Sequence, residues 1–324
     1  MHAHSKTSSI ATAVLCLALL VQMPLSAAEP AGPPATLAPG VLLGGEDHPS
    51  TAWVADTEGY VAAVDLGSGA LTWRGPAQGL PLALVDRQLV VLGRPQSAGQ
   101  ISLLLLNPGT GEPLGGLTGA LPEGVLASPD AQPNRRFTVI ADLSTGALRV
   151  LWTYSEWPLR GALLPDSNPD TERVELSGVV VADFGANRLH AGSPAGFPAQ
   201  ASPDLIGSER VSGLDGTQFR SADGGYAQVA TAVADSRLGA QWRWTLHERS
   251  SGRALSQVVL PYAHAPFMVN GNRLIWQSPP ITQRQASGDY LEQPLRLVAT
   301  ELGGGRELWS VGLLAQEYRG VLPP

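Results

Sequence analysis

The chain has one cysteine and one lysine among its 324 residues. Both, Cys16 and Lys6, fall in a first segment whose apolar run at 10–20 and small residues at 26–28 predict a secretory signal peptide over residues 1–28. Without that segment, the mature chain has no thiol and no lysine amine. Disulfides, cysteine nucleophiles, c-type haem attachment, cysteine-ligated zinc and Schiff-base or phosphate-loop lysines are then excluded. We expect a secreted or periplasmic protein without a stable membrane anchor.

Positive charge and helical periodicity are also scarce. Removing Lys6 leaves 21 − 1 = 20 basic residues, all arginine, against 28 acids, a net charge of −8. Without a basic cluster, nucleic acid and anionic membrane surfaces are poor partners. After residue 30, alternating and short apolar runs recur where an amphipathic helix would need a period of 3.6, which predicts an all-β chain. The segment 29–39 is rich in proline and alanine, and we expect a disordered leader there, before one domain at 40–324.

Five short turns share one template, in which an acidic or amide residue is followed four residues later by glycine or asparagine. The pairs are Asp65 with Gly69, Asn107 with Gly111, Asp183 with Asn187, Glu248 with Gly252, and Glu301 with Gly305. The first side chain can accept hydrogen bonds from backbone N–H groups two residues on, and the last residue can adopt the positive φ that such hairpins need. An apolar run precedes each turn, so the template predicts five β-hairpins.

Tryptophan follows two of these turns at one distance. Trp73 lies four residues after Gly69, and Trp309 four residues after Gly305. The first copy reads A-x-D-x-x-[ST]-G-x-x-x-W, which resembles the repeat of the pyrroloquinoline-quinone-like (PQQ-like) β-propellers, and the similarity extends over 52–115 and 266–309. In that family the tryptophan docks against the neighbouring blade. The resemblance therefore implies that Trp73 and Trp309 are packing residues between blades.

Hairpins that cannot cover their own faces must stack on one another. Together with further hairpins at 82–92, 137–154 and 267–276, the turns predict one β-propeller of four-stranded blades, with five countable and five to seven allowed by the spacing. We expect the last residues, 317–324, to close the ring by pairing near 41–43. Insertions at 161–173, 191–204 and 278–294 are predicted to be loops projecting from one rim.

A weak metal-site candidate lies at Asp166, Asn168 and Asp170. Alternating oxygen ligands of this kind begin a calcium loop. However, Thr171 and Ser177 stand where such a loop needs glycine and glutamate, so a solvated polar loop is the preferred interpretation. Four histidines follow the signal segment, none with a partner at metal-ligand spacing: His48, His190, His247 and His264.

Two aromatic pairs, Trp152 with Tyr154 and Trp242 with Trp244, lie two residues apart and so share one face of a strand. They form either a stacking platform for a sugar or, as we prefer, packing between blades.

The resemblance implies two kinds of function. Quinoprotein dehydrogenases of this family use a larger propeller, PQQ beside calcium, a catalytic aspartate and often a disulfide of adjacent cysteines, whereas other members, such as the outer-membrane-assembly propellers, bind proteins without catalysis. Because this chain is shorter and lacks the cysteines, we assign no catalytic or cofactor-binding residue and expect no cofactor. The favoured prediction is a monomeric, non-enzymatic scaffold that binds an envelope protein or peptide through rim loops. A PQQ- or metal-dependent oxidoreductase and a carbohydrate-binding module are the alternatives.

Overall fold

A computed structural model describes residues 34–95, 97–128, 134–157, 174–193, 195, 218–233, 241–284 and 290–314. Within these ranges the chain is all-β, with 22 strands and no helix. No helix in the described part is long and apolar enough to span a membrane. All of these residues belong to one body, Ala31–Pro324.

The strands form five successive antiparallel groups of four, which we call repeats 1 to 5. Repeat 1 contains β2 to β4 and the first half of β5, preceded by β1: Ala35–Ala38, Val41–Leu43, Thr51–Ala55, Tyr60–Asp65 and 71–78. Repeat 2 contains the second half of β5 and β6 to β8: 79–85, Gln88–Gly93, Gln100–Leu106 and Pro113–Ala120. Repeat 3 contains β9 to β12: Arg135–Asp142, Arg149–Glu156, Val174–Asp183 and Arg188–Gly192.

Repeat 4 contains β13 to β16: Gln218–Arg220, Tyr226–Ala232, Trp242–Glu248 and Ala254–Leu260. Repeat 5 contains β17, β18, β21 and β22: Phe267–Asn270, Arg273–Ser278, Arg296–Glu301 and Glu307–Gly312. A separate hairpin of β19 and β20, Ile281–Arg284 and Tyr290–Gln293, lies between its second and third strands. Part of the predicted loop at 278–294 is therefore β-structure.

Each of the five template turns joins the third strand of a repeat to its fourth. The closing residue has a positive φ in every case, from 50° at Asn187 to 75° at Gly111. In four of the five, the strand pairing also shifts beside the turn: in repeat 1, Val64 pairs with Leu71 but Ala63 pairs with Trp73, so that Thr72 is the extra residue. One extra residue in one strand is a β-bulge, which increases the local twist of the pair. The turn template thus sets both the hairpin and its twist.

The apolar core is divided among the contacts between repeats. One buried cluster joins repeats 1 and 2 around Trp53 and Val91, and a larger one joins repeats 2 and 3 around Leu103 and Trp152. A third joins repeats 4 and 5 around Trp244. The sheets paired in these clusters stabilise each other, because a four-stranded sheet with apolar side chains on both faces cannot bury them alone.

The first and last repeats also contact each other. A fourth cluster combines Val41 and Val64 of repeat 1 with Ile275 and Leu297 of repeat 5, all fully buried. The backbone N–H of Leu314 donates to the carbonyl of Ala55 at 3.0 Å. The two parts of the domain that are farthest apart in sequence are therefore neighbours. The segment 317–324, predicted to make this connection, lies outside the described residues.

The fold begins earlier than the sequence predicts. Residues 29–39 were assigned to a disordered leader, yet Ala35–Ala38 form β1 and the Leu37 side chain is fully buried among repeat 1 and repeat 5 residues. The high proline and alanine content of this segment does not predict that Leu37 is buried. The signal segment 1–28 lies outside the described residues.

Candidate functional site

The connections between strands divide into two kinds, which lie at opposite ends of the repeats. Strands alternate in direction, so the turns after the first and third strands share one end, here called the short-turn end. Most of its turns are tight, such as the two residues Asp86 and Arg87 between β5 and β6. The links after the second and fourth strands share the other, long-connection end, and include 157–173, 193–217 and 279–295. Long links between strands are where scaffolds usually carry recognition residues.

Repeats 1 to 3 face the same way along this axis. β8 of repeat 2 and β12 of repeat 3 pair in parallel at Thr118 and Arg188. At the long-connection end, the Gly79 N–H of repeat 2 donates to the carbonyl of Gly59 in repeat 1 at 3.0 Å. The links after the second and fourth strands of these three repeats therefore start at the same end.

Trp73 lies in the junction between repeats 1 and 2. Its indole ring covers Gly111, where an added Cβ would come within 2.5 Å of the ring carbon Cε3. Its Nε1–H donates to the carbonyl of Pro108 at 3.0 Å, and the indole of the fully buried Trp53 donates to the same carbonyl at 3.0 Å. Two tryptophans of repeat 1 therefore hold the turn of repeat 2.

Trp309 occupies the equivalent position in the junction between repeats 5 and 1. Its ring covers Gly69, where an added Cβ would overlap the indole. Here the buried Nε1–H has no hydrogen-bond partner. Asn270 adds a second link across this junction, because its Nδ2 donates to the carbonyl of Pro49 at 3.2 Å.

The other three turns are not followed by tryptophan at this position, which is occupied by Gly115, Ala191 and Ser256. Ser256 of repeat 4 lies near Gly303 of the repeat 5 turn, at 3.9 Å from a Cβ built there. Nothing lies within 4 Å of such a Cβ at Gly115 or Gly252.

Asp183 begins the repeat 3 turn and accepts a hydrogen bond from the Ala186 N–H at 3.0 Å. Gly305 ends the repeat 5 turn, where its N–H donates to the Glu301 carbonyl at 3.0 Å.

A cluster of charged side chains lies at the long-connection end of repeat 1. Arg74 contacts Asp56 at 2.5 Å and Glu58 at 2.8 Å, and its guanidinium lies 4.2 Å from the centre of the Tyr60 ring. The hydrogen bond to Asp56 raises the pKa of Arg74 above its usual range, and the bond to Glu58 adds to this. Asp56 also accepts the N–H groups of Glu58 and Tyr60 at 2.9 Å, so the turn geometry fixes its carboxylate. Glu58 and Arg74 are solvent-exposed and accessible to a partner, whereas the Asp56 side chain is only 14% exposed.

A cleft of about 220 Å³ lies where the first strands of repeats 1, 2 and 3 approach one another. Its walls are mainly aliphatic, with Leu42, Leu84 and Leu143 among them, and Asp142 is its charged member. The Ser144 N–H holds the pKa of Asp142 below its usual range, with Arg149 contributing. Because buried Arg149 is 3.4 Å from Asp142 and also donates to two carbonyls of 193–195, the carboxylate is already matched by a cation.

Repeat 3 contains a second polar group near the long-connection end. The Tyr154 hydroxyl donates to Glu156 at 2.5 Å, and Arg135 contacts the other oxygen of Glu156 at 3.0 Å. Burial, and next the bond to Glu156, raise the pKa of Tyr154 to about 12. The bonds from Tyr154 and Arg135 hold the pKa of Glu156 low. The phenol of Tyr154 is therefore neutral near pH 7 and donates to a charged carboxylate.

The predicted aromatic platform is mostly inaccessible. Trp152 and Tyr154 are buried against repeat 2, and Trp244 is fully buried among Phe267 and Trp276. Only Trp242 of the two pairs is partly exposed. Because a stacked sugar needs an open ring face, this arrangement contradicts the carbohydrate platform and favours packing between repeats.

The metal candidates Asp166, Asn168 and Asp170 lie outside the described residues. Within the part that is described, no group of three histidine, cysteine, aspartate or glutamate residues is positioned to hold a metal ion. His48 contacts the edge of Trp53, and His264 stacks on Phe219 with ring centres 4.5 Å apart.

Sequence reasoning missed the charged cluster and the buried Arg149. The register of β4 and β5, with Ala62 opposite Arg74, brings that arginine to the turn carrying Asp56 and Glu58. The sequence D-T-E-G-Y at 56–60, with acidic residues two positions apart and followed by a strand that carries Arg74, was the sequence feature that could have indicated the cluster. Nothing in the local sequence marked Arg149 as buried.

No protein family matches the chain, and a search of curated proteins finds no match either. Among solved structures, the chain is similar to the Dos1 propeller, with 10% identity and a TM-score of 0.24 over 83% of this chain and 57% of that one. It is also similar to BamB from Moraxella catarrhalis, with 12% identity and a TM-score of 0.24 over 85% of this chain and 80% of that one.

Proposed function

We propose that the five repeats form one closed β-propeller and that the protein is an exported, non-catalytic scaffold. It binds another envelope protein or a peptide at the long-connection end. The observation that carries this proposal is the separation of the two ends: tight turns at one, long links and the exposed Arg74 cluster at the other. The contact of repeat 5 with repeat 1 supports closure, since it leaves no free face at either end of the chain.

The chemistry of the Arg74 cluster favours a polypeptide partner. It presents a carboxylate, a guanidinium and an aromatic ring within one turn and one neighbouring strand. Such a surface can bind backbone amides and charged side chains, and its exposed charges guide association more than they add affinity. We further propose that the chain is monomeric, that it holds no resident cofactor, and that it acts in the periplasm or outside the cell; the signal peptide predicted over residues 1–28 supports this location.

The test compares matched charge reversals at the two ends. A partner would be isolated by cross-linking the tagged protein in its native envelope, and its affinity for purified variants then measured. We expect Glu58→Arg to weaken binding and Glu112→Arg, a reversal at another exposed glutamate but at the short-turn end, to leave it unchanged. Equal effects of both reversals would contradict the assignment to the long-connection end.

The oxidoreductase alternative has its own assay. The mature protein would be mixed with PQQ and calcium, and dye reduction measured with alcohols and sugars. The scaffold proposal predicts no activity and no quinone absorbance after gel filtration, and a retained quinone band would reverse it.

A further inference from the structure

We propose that Asn270 is a site of spontaneous deamidation whose conversion loosens the contact between repeats 5 and 1. Asn270 and Gly271 form the only Asn-Gly dipeptide of the chain. In such a pair the glycine nitrogen can attack the asparagine side-chain carbonyl, because no side chain on the following residue hinders the approach.

The chemistry requires only water. The Gly271 nitrogen bonds to Cγ of Asn270, the Cγ–Nδ2 bond breaks, and ammonia leaves with the proton of the attacking N–H. Water then opens the resulting succinimide to aspartate or isoaspartate. Nothing is oxidised or reduced.

The structure leaves this dipeptide accessible. Gly271 is exposed at the turn between β17 and β18, and a Cβ built on it meets nothing within 4 Å. Its φ of +57° is a conformation that residues with a side chain rarely adopt. The turn therefore favours glycine at this position.

The amide that would be lost joins two distant parts of the chain. Nδ2 of Asn270 donates to the Pro49 carbonyl across 221 residues of sequence. A carboxylate at that place has no hydrogen to donate and brings a negative charge to a carbonyl oxygen. Isoaspartate would also lengthen the main chain between β17 and β18, whose Phe267 and Trp276 pack against repeat 4. Conversion therefore acts on the junction where the indole of Trp309 already lacks a partner.

The experiment ages the folded mature protein in a mildly alkaline buffer and follows it by tryptic mapping. Cleavage after Arg253 and Arg273 releases one peptide that contains both Asn270 and Asn272, which precedes an arginine rather than a glycine. Asn272 is thus an internal control. We expect Asn270 to convert several-fold faster than Asn272 in the folded protein. Equal rates, or an unchanged Asn270 in the folded protein when the urea-unfolded chain converts, would overturn the site.

A second arm tests the consequence with fixed variants. Asn270→Asp should lower the Tm and increase amide hydrogen exchange at Thr51 and Leu66, which donate to the carbonyls of His48 and Ser50 on either side of Pro49. Aged wild type should approach the Tm and exchange rates of this variant. Asn270→Gln, which keeps an amide donor and cyclises poorly, should resist ageing and keep the wild-type exchange rates. If Asn270→Asp exchanges like wild type, conversion does not loosen the junction.

Discussion

The junction between repeats 1 and 2 and the junction between repeats 5 and 1 use the same two residue types in the same places. In each, a tryptophan four residues after a turn glycine covers the glycine of the next repeat. They differ in polar contacts, since the indole of Trp73 donates to Pro108 whereas the buried indole N–H of Trp309 has no partner. The contact of tryptophan with glycine is therefore the same at both junctions. The hydrogen bond of the indole differs, because it depends on the backbone of the turn that the tryptophan covers. The junction between repeats 5 and 1 depends more on apolar burial.

The largest effect is expected at the receiving glycine. Gly111→Ala must combine a strained positive φ, about 1–2 kcal/mol, with overlap against the Trp73 ring, about 1–3 kcal/mol. Gly252→Ala is the matched control, because Gly252 has a φ of 70° and no atom within 4 Å of the built Cβ. It should lose only the first contribution. Urea unfolding of both variants measures the difference, and equal losses would show that the tryptophan contact does not constrain Gly111.

Truncation of the tryptophans should cost somewhat less. Trp73 is partly buried, so Trp73→Ala should lower the free energy of unfolding by about 2–4 kcal/mol. Trp309→Ala should cost about 1 kcal/mol less, because no hydrogen bond is lost. Chemical denaturation provides both values. A loss at Trp73 below about 1 kcal/mol would mean that this side chain does not hold the junction.

Replacement by phenylalanine isolates the hydrogen bond. Trp73→Phe keeps most of the ring contact but removes the donor to Pro108, and we expect a loss of about 1 kcal/mol or more. Trp309→Phe removes an N–H that is buried without a partner, so its stability should be unchanged or slightly higher. Thermal unfolding of the two variants in parallel tests this, and a larger loss at Trp309 would reverse the comparison.

The smallest effect concerns the stability in acid of the repeat 1 and repeat 2 turns, whose glycines are covered by the two tryptophans. The Ser68 hydroxyl and N–H hold the pKa of Asp65 below its usual value, whereas the repeat 2 turn begins with the neutral Asn107. A lowered folded pKa contributes stability above the unfolded value of about 3.9, and this stability is lost as the pH falls through the folded pKa. In Asp65→Asn, the free energy of unfolding should therefore fall less steeply with decreasing pH in that acid window. Near neutral pH, its dependence on pH should be the same as in the wild type. Urea unfolding of the wild type and of Asp65→Asn at several pH values in this window measures the difference. The same pH dependence of the free energy of unfolding in both proteins would contradict this prediction.

The strands and turns were accessible from the sequence because their causes are local. Glycine at a fixed distance from an acidic or amide residue predicted the five turns, and even the substitution of Asn187 for glycine retains a positive φ. By contrast, which glycine receives which tryptophan depends on the order of repeats in space. The same limit applies to Trp152 and Trp244, whose spacing was compatible with an open platform until the neighbouring repeat covered them.

The candidate site was less accessible for a related reason. Asp56, Glu58 and Arg74 come together through strand register, which single-residue patterns do not specify. Leu37 similarly lies in a proline-rich stretch, and its burial follows from a cavity built by repeats 1 and 5. Long-range packing decides these positions.

Closure of the domain is tested most directly by an engineered cross-link between its first and last repeats. A Cβ built on Gly312 lies 2.7 Å from Cγ2 of Thr57, so Thr57→Cys with Gly312→Cys, in the mature chain without Cys16, should form a disulfide readily. Non-reducing electrophoresis should show a compact monomer that reverts on reduction. Pairing Thr57→Cys with Gly252→Cys should leave both thiols free. If the first pair stays reduced under oxidation while the protein is folded, repeats 5 and 1 are not in contact and the closed arrangement is contradicted.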